Sequence, residues 1–281
     1  MLPTMNCRGK ELTFGQRTLI MGILNVTPDS FFDGGRYTEV ERAIAHAKQM
    51  VEEGADIIDI GGESTRPGAL PVSAEEELAR VLPVIAGLAS EITALISIDT
   101  YKATVAREAL QAGAHIVNDI TALKGDSNMA GVVAEMNAGV VLMHIQGTPR
   151  TMQQAPVYQD LIPEILSSLQ QSISEAESKG IQPDRIIIDP GIGFGKKILE
   201  HNLEILRRLD EFRCLNKPIL IGTSRKSFIG KILNVPVDDR VEGTAATIAW
   251  AIAHGADIVR VHDVKAMHRV AQMTDAIYRH L

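Results

Sequence analysis

The sequence of 281 residues predicts an α/β protein: a single (β/α)8 barrel (TIM barrel) over residues 1–281, with a short β-hairpin at residues 1–18. Eight short apolar runs alternate with segments of helical periodicity, and about 250 residues is typical of this barrel. Apolar residues make up 45% of the chain and aromatic residues 4%, which suits parallel strands buried on both faces. The predicted strands are 19–24, 56–60, 95–98, 115–117, 140–143, 185–188, 218–221 and 257–261.

The polar residues that follow these strands favour the barrel over its rival, a doubly wound open sheet. In an open sheet only the strands beside the switch point need polar ends. Here every predicted strand has one, and in a barrel the eight ends form a ring on one face. The ring contains Asn25, Glu63 with Thr65 and Arg66, Asp99, Asn118 with Asp119, His144, Asp189, Ser224 with Arg225 and Lys226, and Arg260 with His262.

Helix starts and ends can also be recognised between the strands. Capping-box spacing predicts helix starts at Thr38 and Ser73, each followed three residues later by glutamate. Glycine-alanine pairs at 54–55, 113–114 and 255–256 each close a helix and open a strand, as a left-handed C-terminal glycine does. No linker or low-complexity tract divides the chain, so one domain is expected.

The overall charge and the cysteines restrict the partners and the compartment. A net charge of −7 gives no electrostatic basis for binding nucleic acid or an acidic membrane surface. Cys7 and Cys214 have no metal-binding or redox spacing, which favours a reducing, cytoplasmic setting. Residues 1–15 contain no long apolar segment, so neither a signal peptide nor a membrane span is expected.

The run IIIDPGIGFGKK at 186–197 places Asp189 at the end of a buried strand, which proline and glycine then terminate. Its glycines and Lys196 suggest a phosphate-binding loop, but the spacing excludes one. That motif needs four residues between its first glycine and the Gly-Lys pair, and only three separate Gly191 from Gly195. The function of Asp189 therefore depends on the other strand ends.

The segment NVTPDSFFDGG at 25–35 follows the first strand and predicts a long βα loop of the kind that forms lids. The amide oxygen of Asn25 could bind Mg²⁺, or Asn25 could simply cap the turn. Phe31 could pack against the protein or cover a flat ring. In GGESTRPG at 61–68, Arg66 suits an anion, although an isolated arginine is more often a solvated surface residue.

The remaining strand ends carry acids, amides and cations. Asp99 and Asn118 could each be a helix N-cap, an explanation that is less persuasive for these two and Asp189 together. The segment GTSRKSFIG at 222–230 puts two cations and two hydroxyls where barrels often hold phosphate. Alternation sends Arg260 and His262 to the same side of the last strand and favours an anion site there, whereas His144 is interpreted as a core histidine.

The ring thus combines two kinds of binding group. One set suits a flat heterocycle that presents N–H groups and a carbonyl: Asp99, Asn118, Asp189 and Lys226. The other set suits a phosphate group, with or without a metal: Asn25, Arg66, Arg260 and His262. Neither G-x-S-x-G nor a Cys–His arrangement is present to supply a nucleophile. We therefore expect an enzyme that positions a heterocycle bearing a phosphate-type leaving group by electrostatics.

Long motifs over nearly all of the chain resemble those of the dihydropteroate synthase family. In order they are MGILNVTPDSFFDGG at 21–35, DIGGESTRPGA at 59–69, SIDT at 97–100, NDI at 118–120, DPGIGFGK at 189–196, GTSRKSFIG at 222–230 and RVHDV at 260–264. The resemblance implies a (β/α)8 barrel that uses Mg²⁺ and is generally a homodimer. It also implies a step of folate biosynthesis: 6-hydroxymethyl-7,8-dihydropterin diphosphate and p-aminobenzoate give 7,8-dihydropteroate and diphosphate, with diphosphate leaving first.

The resemblance implies a role for each site residue. The pterin would be bound by Asp99, Asn118, Asp189, Lys226 and Arg260, the last stacked on its face. The diphosphate would be bound by Asn25, Arg66, Arg260 and His262, with Asn25 on Mg²⁺. The p-aminobenzoate would be surrounded by Phe31, Thr65, Arg66, Pro67, Phe194, Lys226 and Ser227. The catalytic residues would be Asp33, Arg66, Lys226 and Arg260. Of these, Asp33 would stabilise positive charge on the pterin methylene.

Two alternatives remain open. A pterin-binding methyltransferase on the same barrel would share the Asp and Asn contacts but would not need the TRPG and SRKS loops. A catalytically inactive pterin-binding protein would bind pterin tightly without turnover, and the intact set of charged loop residues argues against it.

Overall fold

The computed structural model describes residues 4–27, 36–65 and 68–279, without the side chains of 36–38. Eight parallel strands form a nearly closed barrel, so the prediction of a (β/α)8 barrel is confirmed. Their bounds are β3 Leu19–Asn25, β4 Ile57–Gly61, β5 Leu95–Asp99, β6 Ile116–Asp119, β7 Gly139–Met143, β8 Ile186–Asp189, β9 Leu220–Ile221 and β10 Ile258–Val261. Around the barrel they follow the order β8-β7-β6-β5-β4-β3-β10-β9.

The barrel closes between β8 and β9, where the backbone pairing is thinnest. Strand β9 has only two residues, whereas the apolar run predicted a strand over 218–221. Closure depends on an isolated parallel bridge between Ile188 and Ile219 and on the Ile188 N–H, which donates to the Pro218 carbonyl at 3.0 Å. The two edges therefore meet with fewer backbone hydrogen bonds than the other strand pairs of the barrel have.

The connecting helices cover the outside of the barrel. They are α1 Arg36–Glu52, α2 Ala74–Leu88, α3 Ala103–Ala112, α4 Met129–Glu135, α5 Leu161–Ser178, α6 Glu200–Arg207, α7 Ser227–Leu233, α8 Val241–Ala253 and α9 Val264–Tyr278. In the part of the chain with described coordinates, none of these helices combines the length and the apolar character that a membrane crossing requires.

The expected helix ends were mostly correct. Ser73 caps α2 and accepts the Glu76 N–H at 3.2 Å. Gly113 ends α3 with a φ of 121°, a conformation that glycine adopts without the steric cost of a side chain. Helix α1 begins at Arg36, so the start predicted at Thr38 is wrong. The helix begins two residues further towards the N-terminus than predicted.

An N-terminal hairpin closes the end of the barrel opposite the polar ring. Strands β1 Met5–Cys7 and β2 Lys10–Leu12 pair around a turn at Arg8 and Gly9, both with positive φ, so the prediction of a short N-terminal hairpin is confirmed. Met5 and Phe14 are buried with one cluster of interior residues that includes the first residue of several barrel strands, such as Leu19 and Ile57. The hairpin therefore fills the bottom of the barrel, and the upper mouth is left for the polar side chains.

Candidate active site

The polar side chains at the C-terminal ends of the strands surround a cavity of about 80 Å³ at the mouth of the barrel. Ile23, Ile120 and Met143 give the cavity an apolar part that suits a flat ring. The structure brings together eight of the side chains expected at the site: Thr65, Asp99, Asn118, Asp189, Phe194, Lys226, Arg260 and His262.

The other expected site residues lie at the edge of this cavity or outside the described residues. Asn25 ends β3 and is half-buried. A Cβ built on Gly61 would lie 3.9 Å from Asn25 Oδ1 and 3.8 Å from Asp99 Oδ2, so both oxygens face the gap that Gly61 leaves. Ser227 is the exposed first residue of α7 and does not line the cavity. The described residues do not include Phe31, Asp33, Arg66 and Pro67.

Arg260, on β10, bridges two carboxylates at the cavity. Its Nε donates to Asp59 Oδ2 at 2.6 Å, and its Nη2 donates to Asp99 Oδ2 at 2.7 Å. Asn118 Nδ2 donates to the same Asp59 oxygen at 3.0 Å. Because a guanidinium is planar, bonds from two of its nitrogens fix the orientation of its face. The Arg260 plane is therefore held ready before any ligand binds.

Asp59 is a site residue that the sequence reasoning missed. It lies in the middle of β4 and is fully buried, and its Oδ1 has no hydrogen-bond partner within the described residues. The sequence could have indicated its role, because Asp59 is a charged residue inside the apolar run IIDIG and a carboxylate is rarely buried unless it is paired. Its contacts show that Asp59 orients Arg260 and Asn118.

Burial changes the pKa values of the groups that line the cavity. It raises the pKa of Asp99 to about 7, and the Arg260 guanidinium opposes that rise. It also raises the pKa of Asp189, against the effect of the Gly191 N–H that Asp189 accepts at 2.7 Å. Burial lowers the pKa of Lys226 to about 8, with Asp189 opposing. Shifted acids and bases of this kind are common at active sites.

Lys226 lines the cavity together with Asp189 and also contacts an aromatic ring. Its ammonium donates to the Ile192 carbonyl and lies 4.3 Å from the centroid of the Phe194 ring. A cation at this distance from a ring face is attracted to it. Lys226 and Phe194 therefore define one wall of the site together.

His262 and Arg225 have different hydrogen-bond partners at the edge of the cavity. Ser224 Oγ lies 2.9 Å from His262 Nδ1 and also accepts the His262 backbone N–H at 3.1 Å, which orients the ring. Arg225 instead donates twice to Asp263, from Nε at 2.9 Å and from Nη2 at 2.6 Å. The prediction that both cations of this loop bind an anion is therefore wrong for Arg225, which forms an ion pair with Asp263. Lys226 is the cation of this loop that lines the cavity.

The protein oxygens near Asn25 are suited to a metal ion that takes most of its ligands from a bound substrate and from water. Within residues 4–27, 36–65 and 68–279, no group of three or more His, Cys, Asp or Glu side chains is arranged to hold a metal ion. Mg²⁺ commonly binds through one or two protein oxygens and the phosphates of a substrate. The Asn25 amide oxygen, which faces the same gap as Asp99, fits that donor chemistry.

A larger cavity, of about 450 Å³, lies beside the barrel mouth. It is bounded by the loops after β4, β6 and β7, and it shares Met143 with the smaller cavity. Asp99, Asn118, Asp189 and Arg260 do not line it. The convergent charged groups therefore identify the smaller cavity as the candidate active site.

Residues 21–262 match the family model described as pterin binding enzyme. The dihydropteroate synthase of Bacillus subtilis is 51% identical over 273 residues, which cover 97% of this chain and 93% of that relative. The chain belongs to the dihydropteroate synthase family. It is accordingly a transferase.

Solved structures of this family superpose closely on the chain. A dihydropteroate synthase from Clostridium difficile, in the presence of pteroic acid, is 52% identical with a TM-score of 0.90, over 95% of this chain and 99% of that one. The enzyme of Xanthomonas albilineans with 4-aminobenzoic acid is 43% identical with a TM-score of 0.92, over 99% and 98%. These similarities cover the strands and the loops that carry the site.

Proposed function

We propose that this transferase condenses 6-hydroxymethyl-7,8-dihydropterin diphosphate with p-aminobenzoate, giving 7,8-dihydropteroate and diphosphate. The observation that carries the proposal is the cavity at the barrel mouth, where carboxylates, an amide and cations converge beside an aromatic ring. The structures of relatives in the presence of pteroic acid and with 4-aminobenzoic acid are consistent with it. The substrates are thus small molecules, and the product belongs to folate biosynthesis.

The pterin would occupy the part of the cavity between Arg260 and Asp189. Asp99, Asn118 and Asp189 offer oxygen acceptors for its N–H groups, and Lys226 offers a donor for its carbonyl and ring nitrogen. Arg260, fixed by Asp59 and Asp99, would stack on the pterin face. The site therefore recognises both the edge and the plane of the heterocycle.

The diphosphate would lie towards Asn25, Arg66, Arg260 and His262. Asn25 would hold Mg²⁺, which when bound neutralises charge on the leaving diphosphate. The C–O bond to the pterin methylene would break first, with both electrons leaving on the diphosphate oxygen. The cations would stabilise this anion, and Asp33 would stabilise the positive charge on the methylene.

The arylamine would then add to the methylene from the other side of the site. We assign p-aminobenzoate to the space beside the wall that Phe194 and Lys226 form. We expect Thr65, Arg66, Pro67, Ser227 and Phe31 to surround it. The amine nitrogen forms the new C–N bond and loses a proton to solvent. A weak nucleophile of this kind gains most from being held against an already developed carbocation.

A diphosphate-release assay tests this function. With both substrates and Mg²⁺ present, we expect one diphosphate for each dihydropteroate formed, and chelation of Mg²⁺ should lower the rate. Without p-aminobenzoate, reversible departure of diphosphate should move an oxygen isotope from the position between carbon and phosphorus to the non-bridging oxygens of the same phosphate. Methyl transfer without diphosphate release would indicate the methyltransferase instead, and pterin binding without turnover would indicate the inactive binding protein.

We also propose that the chain forms a homodimer through the helices on one side of the barrel. Helix α8 contacts both α7 and α9, and these helices expose large apolar side chains such as Trp250, Met273 and Ile277. Met273 and Ile277 are 63% and 67% exposed. A twofold interface would bury the same apolar patch of each subunit.

Sedimentation should therefore give a mass twice that of the 30.5 kDa chain. The double substitution Met273→Glu and Ile277→Glu should produce monomers, because a symmetric interface would receive four buried charges. Val157→Glu, at an equally exposed apolar residue after β7, is the matched control and should leave the dimer intact. A wild-type chain that sediments as a monomer would contradict this proposal.

A further inference from the structure

Lys196 is a fully buried lysine that none of the roles above explains. Its ammonium lies 2.9 Å from His144 Nδ1 and donates to the carbonyls of Phe194 at 2.9 Å and Gly191 at 3.2 Å. A longer contact of 3.5 Å reaches the His144 carbonyl. Every one of these partners is uncharged, since burial also lowers the pKa of His144 to about 3.

The stability of the core does not explain an ammonium at this position. Burying a charge without a paired carboxylate opposes folding, and burial lowers the pKa of Lys196 to about 7. Methionine has a similar length and would fill the space without that cost. The next residue, Lys197, shows the ordinary alternative, because it is exposed and pairs with Glu200 at 2.9 Å. The hydrogen bonds of Lys196, and not its bulk, therefore need an explanation.

These hydrogen bonds hold the loop between β8 and α6, whose five consecutive carbonyls at 191–195 all accept a side-chain donor. Lys196 serves the first and the fourth, and Lys226 serves the second. Gln153 Nε2 serves the third at 2.7 Å, and the Tyr158 hydroxyl serves the fifth at 2.8 Å. Side chains therefore determine the path of this loop.

The backbone of the loop contributes a hydrogen bond from the Phe194 N–H to the Gly191 carbonyl at 3.1 Å, and the side-chain donors add to it. Gly191, Gly193 and Gly195 have φ values of 75°, 84° and 62°, so the peptide groups turn away from a regular ladder. A Cβ on Gly195 would lie 2.4 Å from the Gln146 carbonyl oxygen, which shows how closely the loop packs against the segment after β7. Phe194 is carried by this loop between two glycines.

We propose that Lys196 is a positioning residue for the second substrate. By tying the Gly191 and Phe194 carbonyls to His144 at the end of β7, it sets the Phe194 ring against Lys226. The proposed function puts p-aminobenzoate beside these two side chains. The inference rests on that proposed function for the identity of the ligand. Three hydrogen bonds persist in either protonation state, because His144 Nδ1 can accept from the ammonium or donate to the neutral amine.

The test compares Lys196→Met with Lys197→Met at about pH 8, where Lys196 is largely neutral and its loss changes hydrogen bonds more than charge. Binding of p-aminobenzoate is measured directly, on the complex with pterin and diphosphate, and its KM is measured in the diphosphate-release assay. For Lys196→Met we expect the Kd and KM for p-aminobenzoate to rise about tenfold or more, as for the loss of a buried hydrogen-bond donor. The Kd for bare pterin should change by less than about threefold.

The matched control Lys197→Met should leave all three constants unchanged. An unchanged Kd for p-aminobenzoate in folded Lys196→Met, or an equal rise for pterin, would overturn the proposal. Tyr158→Phe removes one hydroxyl from the same loop and tests the idea if Lys196→Met does not fold. Its Kd for p-aminobenzoate should rise by about threefold or more with the pterin Kd unchanged, and no rise would overturn the proposal. Failure of the proposed function would appear separately, as a wild type that binds p-aminobenzoate but releases no diphosphate.

Discussion

Replacing Arg260 by methionine should abolish turnover and destabilise the folded barrel by about 3–5 kcal/mol, the cost of breaking a buried ion pair from one side. Arg260 donates to Asp59 and Asp99, and its loss leaves two buried carboxylates close together with no cation between them. Domains are stable by only about 5–15 kcal/mol in total, so the effect is large. Urea unfolding measures the stability, and diphosphate release measures the turnover.

The pH dependence of this variant provides a further check on the cause. The pKa of Asp99 is already raised to about 7, and losing the guanidinium should raise it further. A carboxyl group whose pKa is higher in the folded state costs no stability below its unfolded pKa of about 3.9. Its cost grows as the pH rises from that value to the folded pKa and is constant above it. Arg260→Met should therefore be most destabilised in alkaline solution and recover as the pH falls.

Two controls separate the ion pair from other effects of the substitution. Arg269→Met, at an exposed arginine of α9, should leave both stability and turnover unchanged. Adding Asp59→Asn to Arg260→Met should restore part of the lost stability, because one of the two unpaired charges is removed. Equal urea midpoints for Arg260→Met and the wild type would show that the bridge does not stabilise the fold.

Asp189→Asn should weaken pterin binding by about 1.5–3 kcal/mol, or roughly 10- to 150-fold in Kd. Asp189 Oδ1 already accepts the Gly191 N–H at 2.7 Å. In the variant the amide oxygen must take over that bond, which turns the NH₂ group towards the N–H donors of the pterin. Two donors then face each other, where the carboxylate had offered acceptors. Calorimetry with a pterin that lacks the diphosphate measures the change.

Asp184→Asn is the matched control, since Asp184 is exposed in the turn that leads into the other end of β8. It should bind pterin as the wild type does. If Asp189→Asn kept wild-type affinity, Asp189 could not be the carboxylate that reads the pterin edge. A loss of p-aminobenzoate affinity alone would instead move Asp189 to the other side of the site.

Local sequence patterns predicted the barrel and most of the ring, because a polar residue at the end of an apolar run carries its own signal. Asp99, Asn118 and Asp189 are of this kind, and all three line the cavity. Asp59 was missed because its importance depends on Arg260, which lies 201 residues away in the sequence. A pattern within a short stretch of sequence cannot reveal a contact between residues that are so far apart along the chain.

Lys196 and Arg225 also have decisive partners that are distant in the sequence. Lys196 stands beside Lys197 in a glycine-rich segment and looks like a surface lysine, yet the fold buries it against His144. Arg225 stands in a loop with the composition of an anion site, yet Asp263 takes its guanidinium. In both cases the residue type was visible, and the partner that decides its function came from a different strand end.

The thin backbone pairing between β8 and β9 has a consequence for the ligand. Asp189 ends β8 and Lys226 follows β9, so the two groups proposed to hold the pterin edge stand on opposite sides of the seam. In the free protein, the Lys226 contact with the Ile192 carbonyl is one of the side-chain bonds that span it. A pterin hydrogen-bonded to both residues would link the ends of β8 and β9. Substrate binding and barrel closure would then share contacts, and the free energy of binding would also stabilise the fold.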